Sequence, residues 1–261
     1  MSKITDAIKK SPKKVLIAYI TVGYPDVLTT IEVAHLLAEN GADIIELGIP
    51  FSDPLADGMT IQHASYRALQ NGVTMNTCLS VITELRQHLE TPLVFMSYLN
   101  PIYKYGIANF CKDCARVGID GLIIPDLPPE EGETFERLSR QHGIDLIYLL
   151  APTSTSERIK LVTQHSQGFV YLVSEAGVTG TRNKLPLDLG NFVKRVRKTT
   201  SKPLCVGFGI STPEQAGIVS KIADGVIIGS KILKTVESDK SLKNTKDFIC
   251  SVRKAMDQAS G

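Results

Sequence analysis

The chain alternates short apolar runs with longer amphipathic stretches, and this alternation constrains its fold more than any other feature. The runs hold about four to seven residues rich in Val, Ile and Leu, which is typical of strands buried on both faces. They are Val15–Thr21, Ile44–Gly48, Leu93–Ser97, Gly121–Ile124, Asp145–Leu149, Val170–Val173, Leu204–Gly207 and Gly225–Ile228. Stretches with helical spacing separate them, among them Leu28–Glu39, Cys78–Leu89, Glu130–His142 and Leu189–Thr199.

Strands that alternate with helices pair in parallel, because each helix returns the chain to the same end of the sheet. Eight such units in 261 residues predict a single (β/α)₈ TIM-barrel domain over residues 1–261, since such barrels need ~250 residues. An open doubly wound sheet is the alternative. Closure is favoured because no G-x-G-x-x-G follows the first run and an eighth strand is easier to place in a barrel.

Four of the runs are introduced by similar junctions, which form a weak internal repeat. In three of them a glycine supplies the left-handed turn that ends the preceding helix. The junctions are Gly41-Ala42-Asp43, Gly118-Ile119-Asp120, Gly143-Ile144-Asp145 and Ala223-Asp224-Gly225.

Composition excludes several classes of protein. Hydrophobic residues make up 43% and the net charge is +2, so neither a disordered chain nor a strongly basic nucleic-acid binder is expected. No apolar stretch approaches the ~18–20 residues that span a bilayer, and the N-terminal region lacks the features of a signal peptide. Five cysteines, an odd number, favour a reducing compartment. We expect a bacterial cytoplasmic or plastid stromal protein without nucleic-acid or membrane partners.

Glu46 is a carboxylate inside an otherwise apolar run. Strand alternation places it on the same side as Ile44 and Gly48. If that side is the barrel interior, burial raises the pKa of Glu46, as a general acid or base requires. A salt bridge to a neighbouring strand is the alternative. The next loop, Pro50–Gly58, adds Asp53 and Asp57 between prolines that restrict its backbone, although an ordinary turn would use the same residue types.

These residues, read together, resemble the tryptophan synthase alpha subunit family. The match extends over almost the whole chain and is densest from Glu46 to Gly58 and at Ile61-Gln62. Further matching segments follow the strands: Thr21-Val22-Gly23-Tyr24-Pro25, Ser97-Tyr98-Leu99-Asn100-Pro101, Pro125-Asp126-Leu127-Pro128, Ala176-Gly177-Val178-Thr179-Gly180, Gly207-Phe208-Gly209-Ile210 and Gly229-Ser230. The resemblance implies a (β/α)₈ lyase that cleaves indole-3-glycerol phosphate into indole and glyceraldehyde 3-phosphate.

The resemblance also implies roles for three side chains. Glu46 would shuttle the proton, Asp57 would interact with the indole ring nitrogen, and Tyr171 would lie beside the catalytic glutamate. Tyr171 is equally well explained as a packing residue of the barrel interior. Retro-aldol cleavage needs a proton at indole C3, loss of a hydroxyl proton and charge stabilisation at the ring nitrogen, so two separate acids suit it.

Substrate contacts are expected at the mouth of the barrel. Glycines after the seventh and eighth runs, Gly209 and Gly229, and the hydroxyl of Ser230 would bind phosphate, as these loops commonly do in this fold. A plain turn is the alternative for Gly-Phe-Gly. By resemblance, Gly180 adds a phosphate contact and Thr179 lies in a closing lid. The resemblance also implies apolar contacts with indole from Tyr19, Ile61 and Phe208, and ordinary core packing is the alternative for these residues.

The resemblance implies a partner as well. It is the beta subunit of an alpha2beta2 tryptophan synthase, which alone would carry pyridoxal phosphate, so no cofactor is expected in this chain. The matching contact residues are Asp53, Pro54, Asn100, Pro101 and Tyr103. A lyase that acts alone and releases free indole remains an alternative.

Two positions depart from the family pattern. Met59 stands where proline is commonest, and Glu175 where some members carry arginine.

Cys111 and Cys114 have two interpretations. They are better explained as residues of a helix, Phe110 to Val117, than as zinc ligands, because no second cysteine pair completes a tetrahedral site. No metal is expected.

Two other functions stay open at this point. A different phosphate-binding barrel enzyme would not explain Glu46 together with Asp57. A non-catalytic barrel that binds a sugar phosphate would bind its ligand regardless of a Glu46→Gln change and would show no turnover.

Overall fold

Nine strands form one parallel sheet in the computed structural model, which describes residues 2–174 and 188–260. Along the sheet the order is β5-β4-β3-β2-β1-β9-β8-β7-β6. The strands are β1 Val15–Thr21, β2 Ile44–Gly48, β3 Leu93–Met96, β4 Gly121–Ile123, β5 Asp145–Ile147, β6 Leu149–Leu150, β7 Val170–Val173, β8 Leu204–Gly207 and β9 Gly225–Ile228. Each lies within or close to one of the eight predicted runs.

The ninth strand arises because the fifth run is divided at Tyr148. Its first part, β5, pairs with β4, and its second part, β6, pairs with β7. The carbonyl of Leu146 also accepts a hydrogen bond from the amide of Gln167 at 2.8 Å, and that of Tyr148 accepts one from Tyr171 at 3.1 Å. One stretch of chain therefore joins both ends of the sheet, and the predicted (β/α)₈ barrel is confirmed over the open sheet.

Helices cover the outside of the barrel and begin at side-chain caps where the sequence supplies them. Thr74 caps α4 reciprocally with Thr77, which starts that helix three residues before the predicted Cys78. The helices are α1 Lys3–Lys10, α2 Val27–Glu39, α3 Met59–Gln70, α4 Met75–Leu85, α5 Leu99–Tyr105, α6 Ile107–Val117, α7 Glu133–Gln141, α8 Ser156–His165, α9 Leu189–Arg197, α10 Pro213–Ser220, α11 Ser230–Ser238 and α12 Lys243–Ser260, with a 3₁₀ turn at Pro129–Glu131.

Successive residues of a strand lie alternately in two separate apolar cores. Leu16 and Leu47 face the helices in an outer core. Ile17 and Ile44 belong to an inner core within the barrel, which also contains Ile4 of α1. Ile4 of α1 packs at the start of β4, where a Cβ atom on Gly121 would lie 2.6 Å from its Cδ1 atom, so α1 closes the N-terminal side. The open end lies at the C-terminal ends of the strands, where this fold places its sites.

All nine strands belong to the same sheet. We therefore propose that the chain is one domain, as the sequence analysis expects. Within the described residues, no helix is both long and apolar enough to cross a membrane.

Candidate functional site

Glu46 points into the barrel interior, as the strand pattern predicts. It lies in β2 opposite Tyr19 of β1 and Val94 of β3, and only 1% of its surface is exposed. Across residues 2–174 and 188–260, its Oε2 atom has no hydrogen-bond partner, and no salt bridge involves the side chain. Burial, assisted by the negative charge of Asp57, raises the pKa of Glu46 to about 8.

Asp57 ends the loop between β2 and α3. Its amide donates to the carbonyl of Pro54 at 3.0 Å, and its own carbonyl accepts from the side chain of Gln62 at 2.8 Å, which fixes its backbone on both sides. The residue is 4% exposed, and in the described chain its Oδ1 atom has no hydrogen-bond partner. Burial raises the pKa of Asp57 to about 7, against a smaller lowering by a hydrogen bond from Tyr98.

The ionisation of one carboxyl opposes that of the other. Burial raises the pKa of both, and the negative charge of Asp57 raises that of Glu46 further. Near neutral pH the pair therefore favours one protonated acid and one carboxylate. This pairing suits a reaction that needs a proton donor and a fixed negative charge at once.

Two tyrosines occupy equivalent places in the inner core. Tyr19 of β1 lies over Gly48 of the next strand, and Tyr171 of β7 lies over Gly207 of its next strand. A Cβ atom on Gly48 would lie 2.1 Å from the hydroxyl of Tyr19, and one on Gly207 would lie 2.3 Å from that of Tyr171. The charge of Glu46 contributes, after burial, to a strongly raised pKa of Tyr171. Tyr171 thus packs in the interior and lies near the glutamate.

Phe208 and Ile61 extend this wall towards the mouth. The ring centroid of Phe208 lies 5.9 Å from that of Tyr171, with the rings at 69°. Ile61, in the first turn of α3, belongs to the inner core. Phe208 has a φ of +67° and Gly209 one of +73°, so the backbone turns sharply directly after β8. The inner core therefore continues into Ile61 and Phe208 beyond the ends of the strands.

The N-terminus of α11 also lies at the mouth. Gly229 precedes the helix and Ser230 is its first residue. A Cβ atom on Gly229 would lie 2.9 Å from Cδ1 of Tyr19, so this glycine allows the loop to approach the inner core closely. The first amides of a helix favour an anion. Thr179, Gly180 and the unusual Glu175 lie outside the described residues.

The predicted partner contacts are unequally accessible. Asp53 and Asn100 are exposed, Pro101 is half-buried and Pro54 is buried. Tyr103 is 53% exposed. Leu55, which the sequence analysis does not single out, is 85% exposed and presents apolar surface where Pro54 does not.

Tyr98 is a further site residue, which is not among those predicted from the sequence. It follows β3 and is buried. Its hydroxyl accepts a hydrogen bond from the amide of Ala56 at 3.1 Å and lies close enough to the Asp57 carboxyl to lower the pKa of that group. The sequence feature that could have identified Tyr98 is its position in the Ser97-Tyr98-Leu99-Asn100 segment at the end of a strand.

Cysteines and metal-ligating side chains form no further centre in the part of the chain described. Cys111 and Cys114 are buried, unbridged residues of α6, as the helical interpretation predicts. No group of three or more His, Cys, Asp or Glu side chains among the described residues could hold a metal ion.

Comparison with known proteins agrees with this geometry. A family model described as "Tryptophan synthase alpha chain" matches residues 5–260. The chain is 59% identical over 257 residues to the tryptophan synthase alpha chain of Dehalococcoides mccartyi, covering 98% of this chain and all of that one. It is 45% identical over 260 residues to that of a Thermoanaerobacter species, covering 98% and 99%.

Solved structures give the same result. The crystal structure of tryptophan synthase subunit alpha from Legionella pneumophila superposes with a TM-score of 0.91 at 38% identity, covering 99% of each chain. A Mycobacterium tuberculosis tryptophan synthase structure has a TM-score of 0.90 at 35% identity, covering 97% of this chain and 96% of that one. The chain belongs to the tryptophan synthase alpha chain family.

Proposed function

We propose that the chain uses Glu46 and Asp57 as its two catalytic acids in the reaction of its family, the cleavage of indole-3-glycerol phosphate in tryptophan biosynthesis. The observation that carries this assignment is the pair of buried carboxyls at the mouth of the barrel. Each has an oxygen without a partner in the described chain, and each has a pKa raised towards neutrality.

Glu46 transfers two protons in this proposal. Its protonated carboxyl donates to C3 of the indole ring, which converts the indole to a cationic indolenine. The resulting carboxylate then takes the proton of the glycerol hydroxyl on the carbon attached to C3. The bond between that carbon and C3 breaks, its electron pair returns to the indole ring, and an aldehyde forms. Glu46 ends protonated and ready for another cycle.

Asp57 stabilises the intermediate as an anion. Its carboxylate accepts a hydrogen bond from the indole N–H and offsets the positive charge that spreads to the ring nitrogen after C3 is protonated. The negative charge of Asp57 raises the pKa of Glu46, which supports an ionised Asp57 beside a protonated Glu46.

The remaining contacts orient the substrate. We assign the indole ring to the apolar wall of Tyr19, Ile61, Tyr171 and Phe208. The phosphate is assigned to Gly209, Gly229 and Ser230, with Gly180, and Thr179 is assigned to the lid. The N-terminal end of α11 supports the phosphate position because its free amides and helix dipole favour an anion.

The reaction as written uses side-chain acids alone, so we propose that this chain needs no cofactor. The family implies a beta-subunit partner, and we place its contact on Asp53, Pro54, Asn100, Pro101 and Tyr103 in an alpha2beta2 assembly. Exposed Leu55 and Tyr103 support that surface. Bacterial relatives favour the cytoplasmic alternative over the plastid.

Release of indole from indole-3-glycerol phosphate tests the assignment. Glu46→Gln should lower kcat by at least about 10²-fold, the lower range for a lost acid–base group, and leave KM nearly unchanged. Glu84→Gln is the matched control, because Glu84 lies exposed on α4. Wild-type turnover in Glu46→Gln contradicts the assignment. Substrate binding without turnover by the unaltered protein, with or without the beta subunit, favours the non-catalytic barrel.

A further inference from the structure

Tyr98 connects the catalytic loop to the segment that carries the proposed partner contacts. Its hydroxyl accepts the hydrogen bond from the Ala56 amide at 3.1 Å, one residue before Asp57. Its ring packs against Phe51, with centroids 5.5 Å apart and an interplanar angle of 34°. One side chain therefore contacts the β2–α3 loop near its start and near its end.

The backbone of Tyr98 leads into a different element, the helix α5. Tyr98 directly precedes α5, and the amide of the next residue, Leu99, donates to the carboxylate of Asp126 at 3.0 Å. This bond anchors the first turn of α5 to the loop that follows β4. Asn100 and Tyr103, two of the proposed partner contacts, lie on the same short helix. Tyr98 is thus the residue at which α5 meets the catalytic loop.

We propose that Tyr98 is a positioning residue through which α5 fixes the Asp57 carboxylate, so that a protein docked on α5 acts on the active site through this side chain. The inference rests on the proposed function. Its physical basis is that the Tyr98 hydroxyl holds the Ala56 amide at one geometry and so fixes the backbone from which the neighbouring Asp57 side chain extends. A movement of α5 is passed to Asp57 through one covalently continuous side chain.

Tyr98 also acts on the charge of Asp57. The titratable groups that influence one another around this carboxyl are Glu46 on β2, Tyr19 on β1, Tyr171 on β7 and Tyr98 itself. Tyr98 donates a hydrogen bond that favours the carboxylate and lowers the pKa of Asp57. Removing the hydroxyl should therefore raise that pKa and reduce the fraction of Asp57 that is ionised near neutral pH.

Tyr98→Phe tests this proposal, because phenylalanine keeps the ring against Phe51 and removes only the hydroxyl. Tyr105→Phe is the matched control: it makes the same change at the end of α5, where the hydroxyl donates to Asp113 at 2.7 Å. Indole release is measured for both variants and the unaltered protein between pH 5.5 and 9, with and without a tryptophan synthase beta chain.

We expect Tyr98→Phe to lower kcat about 10- to 100-fold, the range for a lost hydrogen bond to a charged group. KM should stay close to its original value, the acidic limb of kcat/KM should move to higher pH, and the beta chain should stimulate this variant less than the unaltered protein. Tyr105→Phe should match the unaltered protein in all four readouts.

Three results would overturn the proposal. An unchanged kcat in Tyr98→Phe removes the positioning role. A lowered kcat with an unmoved acidic limb indicates only a structural role, and equal stimulation of both proteins by the beta chain removes the link through α5. If the unaltered protein releases no indole, the proposed function itself fails, so the two failures are distinguishable.

Discussion

Acidic side chains lie at both ends of the barrel. The fold provides hydrogen-bond and charge partners for one set but leaves oxygens of the other set without a partner among the described residues. At the N-terminal ends of the strands, Asp43, Asp120 and Asp224 each accept a backbone hydrogen bond from a neighbouring strand and each face an arginine. The amide partners are Leu16, Leu93 and Leu204, all at 2.8 Å, and the arginines are Arg253, Arg86 and Arg197.

At the C-terminal ends, Glu46 and Asp57 each retain a buried oxygen without a partner among the described residues. An unpaired buried carboxyl lowers stability unless it stays protonated. The contrast shows that the same residue types serve structure at one end of the barrel and chemistry at the other. What separates the two roles is whether a partner is provided.

The largest expected difference between the two ends is catalytic. Asp57→Asn should lower kcat/KM for indole release by about 10²–10³-fold, because a neutral amide cannot offset the charge of the indolenine. Asp43→Asn, the same change at the opposite end, should leave kcat/KM of the folded protein unaltered, since the amide oxygen can still accept from Leu16. Similar losses in both variants would show that the acids at the two ends do not differ in their contribution to catalysis.

A large stability effect is expected at the N-terminal end. Asp120→Asn should lower the free energy of unfolding by about 3 kcal/mol, because it leaves the guanidinium of Arg86 without its charged partner in a largely buried site. Both side chains of this pair are 16% exposed, and the bond between them measures 2.5 Å. Urea unfolding measures the change. A loss below about 1 kcal/mol would show that the pair is not a main structural contact.

The opposite sign is expected for Glu46→Gln. The raised pKa of about 8 means that the folded state holds the proton more tightly than the unfolded state, so stability falls as pH rises from about 4.5 to about 8. Glutamine removes this cost. Chemical unfolding at pH 5 and pH 8.5 should show a gain below about 1 kcal/mol at the lower pH and one of at least about 2 kcal/mol at the higher pH. A gain independent of pH would point to packing instead.

The smallest change is expected at the remaining junction, Gly143-Ile144-Asp145. Asp145 accepts a hydrogen bond from Ser2, and among the described residues no arginine pairs with it. Asp145→Asn should therefore alter the free energy of unfolding by less than about 1 kcal/mol, well below the effect of Asp120→Asn. Parallel urea titrations compare the two variants. Equal losses would mean that the arginine contributes little to the junctions.

The repeated junctions show how far the sequence predicts this fold. Apolar runs and their spacing are enough to predict parallel strands and closure, and Gly41, Gly118 and Gly143 do have positive φ values of 111°, 92° and 70°. The carboxylate bonds of the junction acids could not be predicted. They depend on arginines distant in sequence, such as Arg253 for Asp43.

The division of the fifth run at Tyr148 was also not predictable, because it reflects a change of pairing partner where the barrel closes and not a change in composition.

The candidate site is predictable to a similar degree. Alternation along β2 is sufficient to place Glu46 inside the barrel, and this prediction is confirmed. The proximity of Tyr98 to Asp57 depends on how two loops pack against each other. A local sequence pattern does not predict that packing. The exposure of Pro54 and Leu55 at the surface could not be predicted either. Sequence places both in one loop, and only the folded loop determines that Leu55 is the exposed residue.

A direct titration of Glu46 tests the central claim, that this buried carboxyl remains a proton donor at neutral pH. Carbon-13 NMR of glutamate carboxyls, with Glu46→Gln to assign the signal, gives its midpoint in the unaltered protein. We expect a midpoint of about 8. A midpoint near 4.5, the ordinary value for glutamate, would show that Glu46 is already ionised at neutral pH and would contradict its role as the acid.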